Sequence, residues 1–216
     1  MGGERVVVDP HQTALADGRG GLQRRHFETA ALDTWVGVVD AVDTLRLPPA
    51  LDDWDCRNNR LAQLALDSDD FAHQVRRAAS RHGAARVGVF LGTSTSGILS
   101  TEIAYRERDA ATGALPAWLH FDQTHDNASL ARYVRLALDL QGPAWVISTA
   151  CSSGAKAYAC AARLIALGMI DAAVVGGVDT LCLTTLYGFN ALELLSKDIC
   201  RPWDRSEERR VGKECT

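Results

Sequence analysis

The chain has 216 residues, 47% of them hydrophobic and 23% charged, with a formal net charge of −4. That content can bury a real core in one or two domains, whereas the charge argues against a nucleic-acid surface and no apolar run is long enough to span a bilayer. The opening Met1-Gly2-Gly3-Glu4-Arg5 has neither the shape of a signal peptide nor the serine or threonine of a myristoylation site, so the expected location is the cytoplasm.

In chain order, Val6-Val7-Val8 runs into a glycine-rich turn at Ala16-Asp17-Gly18-Arg19-Gly20-Gly21. Asp67, Asp69 and Asp70 then open a helix in which Phe71, Val75, Ala78, Ala79 and His82 share a face. Arg76, Arg77 and Arg81 close it before Gly83, so charge matches the helix dipole at both ends. A strand over Arg86 to Leu91 follows. The loop from Gly92 to Gly97 lacks the lysine of a P-loop and the spacing of a dinucleotide site, and is expected to pack closely or to floor a pocket. Arg106 to Gln123, broken by Gly113 and Pro116, reads as a surface or dimer-facing excursion. His120, Asp122, His125 and Asp126 have no third inward-facing partner and are expected to be solvated, with no metal.

Asn127 is placed to cap a helix with Leu130, Tyr133, Val134, Ala137 and Leu138 at i, i+3, i+4, i+7 and i+8, ending near Gly142-Pro143. Trp145, Val146, Ile147 and Thr149 are β-formers without a charge and predict a strand buried on both faces. From Ser152 to Leu167 only Lys156 and Arg163 are charged, which predicts a buried helix stopped by Gly168. The Ala172 to Gly177 strand lacks the third glycine of a Rossmann turn and is expected to end in close backbone packing. This β-α-β series predicts an α/β fold around a buried sheet.

Six cysteines are scattered without a Cys-x-x-Cys pair or metal-ligand spacing, which favours reduced thiols. Cys151 sits where the apolar run meets the helix. A sulfur in that first turn would face unpaired N–H groups and the positive dipole end, both of which favour thiolate, and Ser152-Ser153-Gly154-Ala155 leave room for an acyl group and a tight strand-to-helix turn. Local pattern alone leaves an inert core cysteine open as well. Cys160, two and a half helical turns further on, falls on the opposite face and is expected in the core.

The string Ser148-Thr149-Ala150-Cys151-Ser152-Ser153-Gly154-Ala155-Lys156-Ala157 resembles the active-site block of the β-ketoacyl-acyl carrier protein synthases, members of the thiolase superfamily. Val87-Gly88-Val89-Phe90-Leu91-Gly92-Thr93-Ser94-Thr95-Ser96-Gly97-Ile98 resembles the family's strand and glycine loop, and Asp171 to Asp179 its next core strand. Gly188-Phe189-Asn190-Ala191-Leu192 and Arg201-Pro202-Trp203-Asp204 follow in the family's order. The run Trp54-Asp55-Cys56-Arg57-Asn58-Asn59-Arg60-Leu61-Ala62 is most similar to ketosynthases of aryl-polyene and related pathways.

The resemblance implies the N-terminal half of a layered, thiolase-like α/β fold, a mixed sheet with a buried nucleophile helix, and decarboxylative condensation of malonyl carrier protein with an acyl chain held on Cys151 in fatty acid or polyketide synthesis. The Cys151 N–H would be an oxyanion donor. It further implies acyl carrier protein as partner, no cofactor beyond the carrier's phosphopantetheine, and a homodimer or ketosynthase heterodimer formed through the strand at about Ala144 to Thr149. That pairing would also hide an aggregation-prone edge.

The two histidines, the lysine and the second oxyanion loop of the family have no counterpart among His11, His26, His73, His82, His120 and His125 or elsewhere in the chain. Residues 1–204 are accordingly expected to form an N-terminal ketosynthase domain, poorly matched over 1–50, with the C-terminal half missing. Residues 205–216 are expected to be a non-native tail that resembles a translated sequencing adapter; a divergent solvated tail is the alternative. The isolated chain is expected to be inactive. Two other readings are a non-catalytic chain-length partner, a class that typically lacks the cysteine, and a thiolase-type condensing enzyme.

Overall fold

A computed structural model describes residues 20–200. The Val6-Val7-Val8 run, the Arg201-Pro202-Trp203-Asp204 block, Cys215 and the rest of the 205–216 segment lie outside the described residues. The described residues divide into two compact units, residues 20–38 with 189–200, and residues 39–188.

In the first unit, β1 (Leu22–Arg24) and β2 (Trp35–Gly37) form an antiparallel ladder, with Leu22 opposite Gly37. The Arg24 guanidinium lies 5.4 Å from the centre of the Trp35 ring and pairs with Asp33 at 2.7 Å. Thr34 and Trp35 donate side-chain hydrogen bonds to the carbonyls of Ser196 and Lys197, at 2.9 and 3.1 Å.

The second unit opens with α1 (Ala41–Thr44), a 3₁₀ stretch at Pro49–Trp54, α2 (Arg57–Leu66) and α3 (Phe71–His82). Strand β3 (Val87–Gly92) leads to α4 (Ile98–Arg106), α5 (Phe121–Thr124) and α6 (Ser129–Ala137). Then come β4 (Ala144–Ile147), α7 (Ser153–Ala166), β5 (Ala172–Gly177) and α8 (Leu183–Ala191).

β3, β4 and β5 make one parallel sheet in the order β4-β3-β5, with Gly92 level with both Ile147 and Gly177. All six β3 residues are buried. Because strand side chains alternate, Val87, Val89 and Leu91 enter one core with Leu130, Tyr133, Val134 and Leu138 of α6 and its C-terminal flank. Phe90 enters a second core with Ala157, Ala161 and Leu164 of α7. Each of these large side chains contributes about 2 kcal/mol by leaving water. Gly88 is small because a Cβ there would stand 2.6 Å from the Phe90 ring.

Three local expectations change. β4 is not buried on both faces: it is an edge strand among the described residues, and its Trp145 is 46% exposed while touching Phe90 edge-on at 5.6 Å. α7 is not buried all round. It sinks only the stripe Ser153, Ala157, Ala161 and Leu164 and leaves Tyr158 and Ile165 exposed, since nothing among the described residues covers its outer face. Asn127 does not cap α6. The helix begins at Ser129, and the Asp126 carboxylate instead accepts the Ala128 N–H at 3.0 Å. Among the described residues no helix is long and apolar enough to cross a membrane.

Candidate active site

β4 ends at Ile147, and within six residues the chain has reversed into α7. Ala150 makes the turn with φ 53°, a left-handed conformation that costs an alanine about 1 to 2 kcal/mol. Hydroxyls hold it there. The Ser153 Oγ accepts the Thr149 N–H at 2.9 Å and donates to the Ala150 carbonyl at 2.6 Å. Ser152 Oγ donates to the Thr149 carbonyl at 2.9 Å, and the same Ala150 carbonyl takes the Ser153 N–H at 3.0 Å.

Cys151 is thereby presented at the crest of the turn and is exposed. It precedes the N-cap residue Ser152 rather than sitting in the first helical turn, so the sequence expectation is corrected by about one residue. The consequence for the chemistry is small, because the N–H groups of Gly154 and Ala155 donate to no group among the described residues and their dipoles still point out of the helix start.

The end of β3 fixes that helix start from below. A Cβ on Gly92 would lie 2.8 Å from the Gly154 nitrogen and 2.9 Å from the Ser153 Cβ, so only glycine lets strand and helix meet. Past Gly92 the loop is tied across the sheet by one carboxylate oxygen. Asp179 Oδ1 accepts from the Ser94 N–H at 2.7 Å, and from the Thr95 N–H and the Thr93 and Thr95 hydroxyls, each at 3.1 Å. Ser96, with φ 42°, donates its hydroxyl to the carbonyls of Thr124 and Asp126, both at 3.1 Å. The glycine loop packs closely, as expected, and so does the Gly177 end of β5, where a Cβ would lie 3.2 Å from the Gly92 carbonyl oxygen. Asp179 and Ser96 carry no sequence signal as loop anchors beyond being small polar residues beside glycines.

The other candidates are placed apart from this turn. Cys160 is half-buried against the α7 core. Cys56 is buried at the start of α2, and burial pushes its thiol up to about 11. Cys182 is buried beside the Thr185 hydroxyl at 2.8 Å, and burial raises its thiol too. His120 lies 3.6 Å from Asp53, whereas His125 bonds Thr101 Oγ1 at 2.7 Å and stacks on Phe121. Among the described residues no three His, Cys, Asp or Glu side chains gather as a metal site. An apolar cavity of about 250 Å³ lies beside β5, lined by Leu66, Phe71, Leu91, Val134 and Val174 among others; Cys151 is not part of it.

An exposed thiol on a tight strand-to-helix turn, backed by a small-residue helix, suits covalent acyl transfer. Residues 58–209 match the family model for the β-ketoacyl synthase N-terminal domain. Nodulation protein E of Rhizobium meliloti is 31% identical over 150 residues, which cover 67% of this chain and 36% of that protein. The 3-oxoacyl-[acyl-carrier-protein] synthase 2 of Vibrio cholerae is 30% identical over 142 residues, covering 60% of this chain and 33% of that one. The chain thus spans about a third of the length of these relatives. Among solved structures, a chain of the complex of the ketosynthase ApeO with its chain length factor ApeC from Xenorhabdus doucetiae superposes with a TM-score of 0.62 at 36% identity, over 74% of this chain and 39% of that one. The chain belongs to the β-ketoacyl synthase family of condensing enzymes, and its parallel sheet with flanking helices is part of the thiolase-like fold of that family.

Proposed function

We propose that this chain supplies the acyl-accepting part of a β-ketoacyl-acyl carrier protein synthase, with Cys151 as the nucleophile. The observation that carries the reading is the presentation of Cys151, exposed on a hydroxyl-laced turn directly before the unpaired N–H groups of α7. In the first half-reaction Sγ attacks the thioester carbonyl of an acyl chain on a carrier protein's phosphopantetheine. The old C–S bond breaks, the phosphopantetheine thiol leaves with the proton, and the acyl group stays on Cys151. In the second, a malonyl carrier protein loses carbon dioxide and its carbanion attacks that acyl carbon, releasing the Cys151 thiolate and a β-ketoacyl carrier protein.

Negative charge gathers on the carbonyl oxygen in both steps, and the Cys151 N–H is the donor this chain offers to it. This chemistry draws on no metal or redox cofactor of the protein's own; phosphopantetheine arrives with the substrate. The histidines and second oxyanion donor belong to sequence outside these residues, so the isolated chain is expected to accept an acyl group without completing condensation. The run Trp54 to Ala62 supports an aryl-polyene type of pathway, and the open edge of β4 supports pairing with a second subunit. A non-catalytic chain-length partner is the rival reading. Cys151 itself speaks against it.

The test treats the chain and Cys151→Ala with a radiolabelled acyl aryl thioester, then with malonyl carrier protein. Label on the Cys151 peptide, absent from the variant, with no β-ketoacyl product, is the expected result. Equal labelling of both proteins would overturn the nucleophile, and turnover by the chain alone would overturn its dependence on further sequence.

A further inference from the structure

We infer that Ser153 is the positioning residue of the nucleophile turn, a role that rests on the proposed acylation of Cys151. The residue is 6% exposed, and its hydroxyl bonds the backbone on both sides of the left-handed Ala150 peptide. As acceptor it takes the Thr149 N–H, where the sheet ladder has ended, and as donor it gives its proton to the Ala150 carbonyl. A single hydroxyl thereby closes the Thr149 N–H and gives the Ala150 carbonyl, which also takes the Ser153 N–H, a second donor.

Ser153 is also the residue that β3 pins. The space for a Cβ on Gly92 is taken by Ser153 and Gly154 at 2.8 to 2.9 Å, so the hydroxyl cannot follow the turn if the turn moves. Strand, hydroxyl and left-handed alanine together set the backbone from which Cys151 presents both its Sγ and its N–H. Acyl transfer needs that geometry, since the sulfur must reach the carbonyl carbon while the N–H meets the carbonyl oxygen. Alkylation by iodoacetamide needs only an exposed sulfur. A residue that positions Cys151 separates the two reactions, and one that merely stabilises the fold does not.

The experiment uses the full chain, Ser153→Ala and Ser153→Thr, with acetyl thiophenyl ester as acyl donor. Acylation of Cys151, its alkylation by iodoacetamide, labelling of buried Cys56 and Cys182, and deuterium exchange at the Thr149 amide are followed by peptide mass. S153A is expected to acylate Cys151 about tenfold to a hundredfold more slowly while alkylation changes by less than about threefold. Cys56 and Cys182 stay protected and the Thr149 amide exchanges faster. S153T, which keeps the hydroxyl, restores acylation and Thr149 protection. Unchanged acylation in S153A, or labelling of Cys56 and Cys182 in step with the loss, overturns the assignment. A wild-type chain that takes no acyl group sinks the acyl-acceptor reading instead, and the Thr149 amide then decides the lacing by itself: an amide equally protected in S153A overturns it.

Discussion

Cys56 and Cys151 are the same residue type under opposite conditions, one 3% exposed at the start of α2 and one displayed on a turn. Burial disfavours the thiolate of Cys56 and raises its titration from 9.0 to about 11. The unfolded chain therefore releases this proton before the folded one does. The stabilising contribution is complete below pH 9 and fades as pH rises through the folded value, by about 3 kcal/mol in all for a shift of that size. Cys56→Ser removes the titrating group and sets a good capping hydroxyl at the N-cap position, where the extended backbone (φ −146°, ψ 160°) already suits one. Urea melts of both proteins from pH 8 to 11 should show a steeper alkaline loss in wild type than in C56S; parallel curves would remove Cys56 as the cause. The sequence marked Cys151 because small residues follow it. It gave no such mark for Ser153, whose importance lies in the backbone groups three and four residues back that meet its oxygen.

α3 and α6 were legible because each carries an apolar face at helical spacing, and β3 and β5 because each is a short apolar run, although Asn127 does not cap α6. Gly168, for one, stops α7 as read. It adopts φ 68° and closes the helix with bonds from its own N–H to Ile165 and from the Met169 N–H to Leu164. How deeply β4 and α7 are buried was not legible, because composition states that a surface is apolar without saying what covers it. β4 pairs only with β3 among the described residues and shows Trp145, and α7 shows Tyr158 at 63% and Ile165 at 44% exposure. An edge of that kind recruits another strand unless a charge blocks it. Sedimentation velocity should show concentration-dependent association of wild type and its weakening in Trp145→Lys. Thermal melts must accompany it, because the lysine also forfeits an edge-on aromatic contact with Phe90 of about 1 kcal/mol. Identical association in a folded W145K would exclude β4 as the pairing edge.

For the molecule as a whole, the α/β fold and the family followed from motif blocks that occur in order. The sheet, expected to be mixed, is parallel across β4-β3-β5 among the described residues, and the polar scaffold beneath the site left no mark in the sequence. Buried Asn58, Thr93 and Thr95 meet half-buried Thr180 and exposed Asp179 through hydrogen bonds that span up to 122 positions of chain. No local window contains such a set. Asp179 is its hub, and its place in the chain has a temporal consequence. On the ribosome, Ser94 and Thr95 emerge long before the carboxylate that receives their N–H groups. The glycine loop must wait, solvated, until translation has passed the last strand. A nascent chain arrested short of Asp179 should leave both amides open to deuterium, and elongation beyond Thr180 should shut them; protection in the shorter nascent chain would show that the loop settles without its anchor.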